Sequence, residues 1–271
     1  MTTERMAYHA DPAVGSSALA CVLRSAREYQ QAFVERTLST SETDAMRFGT
    51  LVHLRVLEPE KYRSIVTRIP PDVLSKSGSR AGAAWKEWQA EQHAAGRMIV
   101  TDSEADRIEG IYESIGNTPI ARWILDQVTA VEQPLRWTDA ATGVECKGLM
   151  DAVLPGVIVD LKTTTDVSWE GFRRRVISSS YHVQAAHYLD GYPQADQWWW
   201  LACQTQPPYL VRAYSAEGDM IERGQTLRLV ALERIKRGQT MGDWADREER
   251  EIIPLTLPNW ERLPVETEAG E

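Results

Sequence analysis

The chain has 271 residues, 43% of them hydrophobic and 25% charged, a balance that supports a full buried core and excludes a disordered or fibrous polypeptide. It holds no run of about 18 apolar residues that would cross a membrane, and Met1 to Ala20 lacks the basic, apolar, small-residue order of a secretion signal, so a cytoplasmic location is expected. The net charge of −9 sets aside an evenly basic nucleic-acid binder, and three scattered cysteines, Cys21, Cys146 and Cys203, argue against a disulfide framework or a cysteine-only metal cluster.

In chain order, residues 16–33 read as a helix with Leu19, Val22, Leu23 and Ala26 along one stripe. Residues 43–58 read as a second helix, stopped before Pro59, and the Pro-, Gly- and Ser-rich stretch 68–84 as a loop. Helices follow at about 83–95, at about 101–115 behind the capping box Thr101-Asp-Ser-Glu104, and at 118–127. The pattern then changes to strands at 129–137, 143–153 and 157–164, the last two joined at Pro155-Gly156. Helices are expected at 168–177 and 180–190, strands at 198–203 and 209–214, and a long amphipathic helix at 217–237. The tail after about 255 should be partly disordered, and no linker divides the chain, so a single domain over 1–271 is expected. Helices, a strand-rich centre and more helices predict an α/β sandwich with a central mixed sheet.

The chemistry is concentrated in the hairpin Gly148-Leu-Met-Asp151-Ala-Val-Leu-Pro-Gly-Val-Ile-Val-Asp160-Leu-Lys162. With Pro155-Gly156 at its tip, Leu154 opposes Val157 and Asp151 falls across from Asp160, their Cβ atoms roughly 4.5–5.5 Å apart on one face. Because Pro-Gly favours a type II turn, a four-residue loop in the same register is expected. Two carboxylates so close destabilise a hairpin unless a positive charge sits between them, and a divalent cation with hard oxygen ligands supplies it. Strand alternation puts Lys162 on the same face and turns Val159 and Leu161 into the core. Such a set suits phosphodiester hydrolysis, in which a metal activates water and an ammonium stabilises developing negative charge.

Other polar groups are less specific. Gln184 and Tyr188 are four apart in a predicted helix and share a face, fit either for the site or for a solvated surface. His53, in Phe48-Gly-Thr-Leu-Val-His-Leu, taken alone fits a structural role. Glu132, in the strand before the hairpin, faces either the metal or solvent. Arg173-Arg174-Arg175 and the group Arg234, Lys236 and Arg237 are local basic clusters that fit either solvated helix faces or a DNA path, for which Arg173, Arg174 and Arg80 in the predicted loop are the candidate contacts.

Four pieces in order, Gly49-Thr-Leu-Val-His53, Gly148-Leu-Met-Asp151, Asp160-Leu-Lys162-Thr-Thr and Gln184-Ala-Ala-His-Tyr188, resemble the motifs of the RecB/RecE branch of PD-(D/E)xK nucleases. The likeness is to RecE-like (exonuclease VIII) domains of phages and prophages, over roughly residues 15–240. It implies a restriction-endonuclease-like core with a mixed β-sheet flanked by helices. It also implies Mg²⁺ dependence, with Mn²⁺ able to substitute, and 5′ to 3′ degradation of linear duplex DNA. The 3′ overhangs would pass to a RecT-like annealing protein, and the nuclease would form a homo-oligomeric ring. The residues that match are His53, Asp151, Asp160, Lys162, Gln184 and Tyr188, with the Leu161 backbone carbonyl as a further metal ligand. Some relatives carry an iron–sulfur cluster on four cysteines, and with three cysteines none is expected here. An endonuclease of the same fold and a non-catalytic DNA-binding relative are the alternative readings.

Overall fold

In the computed structural model, which describes residues 8, 10–38, 42–75 and 77–257, helix α1 (Ser16–Arg24) ends where Ser25 turns extended. The Ser25 side chain then accepts from the Glu28 N–H and opens α2 (Ala26–Tyr29), which runs into a π-helical turn, Gln30–Val34. The single helix expected over 16–33 is therefore broken, because a serine has hydrogen bonds to offer outside the helix. Thr43 caps α3 (Asp44–Leu57), and Pro59, which stops it, starts α4 (Pro59–Ile65) at the position where a missing N–H costs nothing. Short strand β1 (Val66–Arg68) leads through the loop to α5 (Ala83–Ala94) and β2 (Met98–Val100), which pairs with β1 in parallel. The capping box forms as expected at the head of α6 (Asp102–Asn117), and α7 (Pro119–Asp126) follows.

The central sheet contains β3 (Ala130–Thr138), β4 (Glu145–Leu154), β5 (Gly156–Thr164), β6 (Ala195–Gln204) and β7 (Val211–Ser215), in that spatial order. Only β5 and β6 run parallel, because α8 (Trp169–Ser178) and α9 (Tyr181–Gly191) cross between them, so the sheet is mixed. The long helix α10 (Gly218–Met241) packs on α9, and its Gly224 is required there: a Cβ would stand 2.2 Å from the His182 carbonyl oxygen. The expected tail falls mostly outside the described residues.

Both sheet faces are covered. Phe48, Leu51 and Val52 of α3, with Ile108 and Ile111 of α6, pack on Val157, Val159 and Leu161. Phe172 and Val176 of α8, with Ala185 and Tyr188 of α9, pack on Met150, Ile158, Trp198 and Trp200. The Trp198-Trp-Trp run is thus a core strand rather than a stacking surface. The β4–β5 hairpin has the predicted register, Leu154↔Val157, Val153↔Ile158 and Ala152↔Val159. Its loop is tighter than the four residues expected: Gly156 adopts φ 78°, the left-handed position a type II turn requires, so Pro155-Gly156 suffices.

Candidate active site

The site begins where the hairpin stops being regular. The β4–β5 ladder ends at Ala152↔Val159, one pair short of Asp151 and Asp160. Glu132, across from Asp151 on β3, has a left-handed φ of 47°, and the β3–β4 register passes from Val131↔Ala152 to Gln133↔Met150 without pairing them. Side-chain alternation on β4 breaks at the same point: Met150 and Val153 face the α8–α9 layer, Ala152 and Leu154 the α3–α6 layer. Asp151 and Asp160 therefore do not oppose each other on one face, as simple alternation predicted. A gap opens between the strands instead, and the site fills it from three directions.

Asp151 enters from β4, its Oδ2 accepting the Leu161 N–H at 2.9 Å. His53 enters from α3, its Nε2 donating to the Leu161 carbonyl at 2.7 Å, which leaves Nδ1 3.4 Å from Asp151 Oδ2. Two side chains thus take the backbone groups of Leu161 that the next β4 residue would have bonded. Asp160 and Lys162 project from β5 on the α9 side, following Ile158. The Lys162 ammonium straddles both Asp160 oxygens at 2.8 and 2.7 Å, and Gln184 Nε2 donates to Asp160 Oδ1 at 3.0 Å. Tyr181, at the first turn of α9, lays its ring 4.7 Å from Lys162 Nζ.

Burial sets the electrostatics. Asp160, only 2% exposed, is pushed up to about 6 by burial, helped by the Asp151 charge and opposed by Lys162. Burial works the same way on Asp151, but His53, Lys162 and the Leu161 N–H outweigh it, and its carboxyl lies below the usual range. Burial would depress His53, yet the adjacent Asp151 carboxylate carries it above its ordinary value. Lys162 is raised by the two carboxylates despite burial. One carboxylate ionised and one poised to ionise, both screened from water, form a site that gains from a cation.

The donor set fits a hard divalent ion. Ligand atoms of His53, Glu132 and Asp151 all lie within 4.8 Å of one another. Glu132, with its left-handed backbone, carries its carboxylate to the side of His53 and Asp151 rather than into open solvent. Carboxylate oxygens and a carbonyl with a second lone pair suit a hard divalent cation, and the imidazole nitrogen also admits a borderline one.

A family model described as a PDDEXK-like domain of unknown function (DUF3799) matches residues 15–253. The chain belongs to this family. No curated protein matches the sequence. Among solved structures, a provisionally assigned exonuclease from Eubacterium rectale shares the fold at TM-score 0.58 and 15% identity, over 95% of this chain and 96% of that one. An alkaline exonuclease from Laribacter hongkongensis aligns at TM-score 0.29 and 15% identity over 63% of this chain and 88% of that one, and its complex with dAMP at 0.28 and 14%.

Not every residue predicted for this PDDEXK-like centre reaches it. His53, Glu132, Asp151, Asp160, Lys162, Gln184 and the Leu161 backbone converge. Tyr188 is buried behind them: its ring lies where a Cβ on Gly148 would meet it at 2.9 Å, it stands edge-on to Trp198 at 5.7 Å, and its hydroxyl meets that of Tyr8. It seats α9 on β4 and so positions Gln184. Arg173 and Arg174 are exposed on α8 and pair with Glu170, and exposed Arg80 lies in the loop before α5; among the described residues none of the three makes a hydrogen bond or ion pair to the centre. Tyr181 was not singled out from the sequence, although its place three residues before Gln184, on the same helix face, was a readable signal.

Gln184 fixes Asp160 without itself having to bind metal. Replacing it by leucine is expected to cost about 10- to 100-fold in metal affinity or turnover, the usual range for an outer-shell partner. Mn²⁺ titration calorimetry and DNA cleavage measure the two, and a loss under about threefold in both would remove Gln184 from the site.

Proposed function

We propose that the protein is a metal-dependent exodeoxyribonuclease that degrades linear double-stranded DNA from its ends, 5′ to 3′, with Mg²⁺ as the working ion. The observation that carries this reading is the convergence of Asp151, Asp160, His53 and Lys162 on the gap between β4 and β5, in a chain of the PDDEXK-like family. The provisional exonuclease assignment of the Eubacterium rectale protein agrees with it.

In this reading, Asp151 and Asp160 would hold the ion with the Leu161 carbonyl, and His53 and Glu132, whose ligand atoms lie within 4.8 Å of those of Asp151, would complete its surroundings. A cation held there lowers the pKa of water and neutralises charge on the phosphorus oxygens. Gln184 and Lys162 hold Asp160 in place. Lys162, which lies on Asp160, would orient the attacking water: the water oxygen forms a new bond to phosphorus as the ester P–O bond breaks, and the departing ester oxygen takes up a proton. Arg173, Arg174 and Arg80 would contact the DNA backbone. The motifs also favour a ring-shaped homo-oligomer that delivers 3′ overhangs to a RecT-like annealing protein.

Digestion of linear and covalently closed circular duplex DNA, each with Mg²⁺ or EDTA and with 5′ or 3′ end label, tests this. Mg²⁺-dependent loss of linear DNA alone, with early release of 5′ label, is the expected result. Cutting of circles would replace the exonuclease by an endonuclease on the same centre, and no cutting of any substrate would overturn both.

A further inference from the structure

Helix α8 carries an exposed stripe in the connection between β5 and α9, the two elements that supply Asp160, Lys162 and Gln184. Trp169, Arg173 and Ile177 are four residues apart and share one helix face. Trp169 is 64% exposed and Ile177 50%, while Phe172 and Val176 on the opposite face are buried, Phe172 stacked on Tyr214 at 5.2 Å. The helix is therefore firmly seated, with an indole and an isoleucine turned outward. The indole is also held: the Arg173 guanidinium lies 4.7 Å from its ring centroid and bonds Glu170 at 2.9 Å. Arg174 and Arg175 are exposed beside it, and Glu170 is the only acidic residue on the helix, in a chain whose net charge is −9.

Both ends of α8 connect to the centre. Trp169 follows closely on the end of β5, the strand of Asp160 and Lys162, and Ser178 is separated by two residues from Tyr181, whose ring meets Lys162. Trp169 and Ile177 are about 12 Å apart along the helix axis, the length of three to four nucleotides at about 3.4 Å each. A flat aromatic face, arginines and continuity with a phosphodiester-cleaving centre together fit a nucleic-acid strand better than an acidic protein surface. The arginines alone would suit either, but an exposed indole stacks on any base.

We propose that α8 is a track for a DNA strand beside the active site, with Trp169 stacking on a base and Arg173 and Arg174 against the flanking phosphates. This rests on the nuclease reading above.

The test is fluorescence anisotropy of a labelled single-stranded 20-nucleotide DNA in EDTA, where nothing is cut. Wild type is compared with Trp169→Ala, Trp169→Phe and, as a control at another exposed tryptophan, Trp123→Ala. Trp169→Ala is expected to weaken binding by about 5- to 100-fold, the range for losing one base–aromatic stack, with Trp169→Phe close to wild type and Trp123→Ala unchanged. A 2-aminopurine in the strand should be quenched by wild type and not by Trp169→Ala. Wild-type affinity in Trp169→Ala, or an equal loss in Trp123→Ala, overturns the track while Mg²⁺-dependent cleavage still upholds the nuclease reading. A wild-type protein that neither binds nor cuts DNA overturns both.

Discussion

Replacing Asp160 by alanine is expected to lower DNA cleavage by about three orders of magnitude or more, since a catalytic metal contributes several kcal/mol to the transition state. The fold should survive. Alanine removes the burial cost of the Asp160 carboxylate but also takes from the Lys162 ammonium the carboxylate it straddles, so a lower melting temperature with the fold retained is expected. Far-ultraviolet circular dichroism and thermal unfolding check the fold; a cleavage assay with a rapid quench checks the rate. A variant that unfolds would leave the rate unexplained, so Asp160→Asn, which keeps the shape and the Gln184 contact region, is the companion. Near wild-type turnover in either variant would remove Asp160 from the chemistry.

The second large effect lies away from the chemistry. Arg228 of α10 is 1% exposed and bonds Asp139 Oδ2 at 2.6 Å, Asp190, and His187 Nδ1 at 3.3 Å. His187 also donates from Nε2 to the Val14 carbonyl at 3.2 Å, so one arginine ties α10, the β3–β4 turn, α9 and the N-terminal segment together. Arg228→Ala would strand Asp139 in the core. A loss of about 3–5 kcal/mol is expected, lowering the melting temperature by roughly 10 °C for a chain of this size. A loss below about 1 kcal/mol in urea unfolding would mean that water satisfies these groups instead.

The same network should make the protein acid-labile. Burial alone would raise Asp139, but the Thr142 hydroxyl and N–H and Arg228 bring it below its ordinary value, so its contribution is present above the unfolded pKa and is lost as pH falls through the folded one. His187, chiefly through burial and then through Arg228, is held neutral at about 3 instead of 6.5. Between those two values the unfolded chain takes up a proton that the folded chain refuses, so stability falls with pH from about 6.5 downward. Both groups act in the same direction, and Arg228→Ala should flatten this slope.

The sequence was most informative where one physical rule acted alone. The hairpin register followed from the Pro-Gly tip and the apolar pattern of β5, and Thr101 and Glu104 marked the start of α6 through a local bond pair. It failed where tertiary contacts compete with local ones. Ser25 breaks a helix that its neighbours favour because its hydroxyl and the next N–H are both taken by Asp246, which lies far along the chain. Asp151 leaves the strand alternation because Glu132 opposite it adopts a left-handed backbone, and no period-2 pattern encodes that. Tyr188 matched a motif by type and spacing, yet its role depends on the absence of a side chain at Gly148.

The bend at Glu132 also governs how copies of the molecule can meet. β3 is an outer strand of the sheet, and such a strand offers its unpaired backbone groups to any extended chain that approaches. Here the row is interrupted twice, by Pro134, which has no N–H to give, and by Glu132, whose backbone turns away from the extended conformation. The turn that brings the Glu132 carboxylate beside His53 and Asp151 therefore also hinders strand addition along the first half of that border. Sheet extension on the β3 side is thereby confined to residues 135–138, short of a full strand partner.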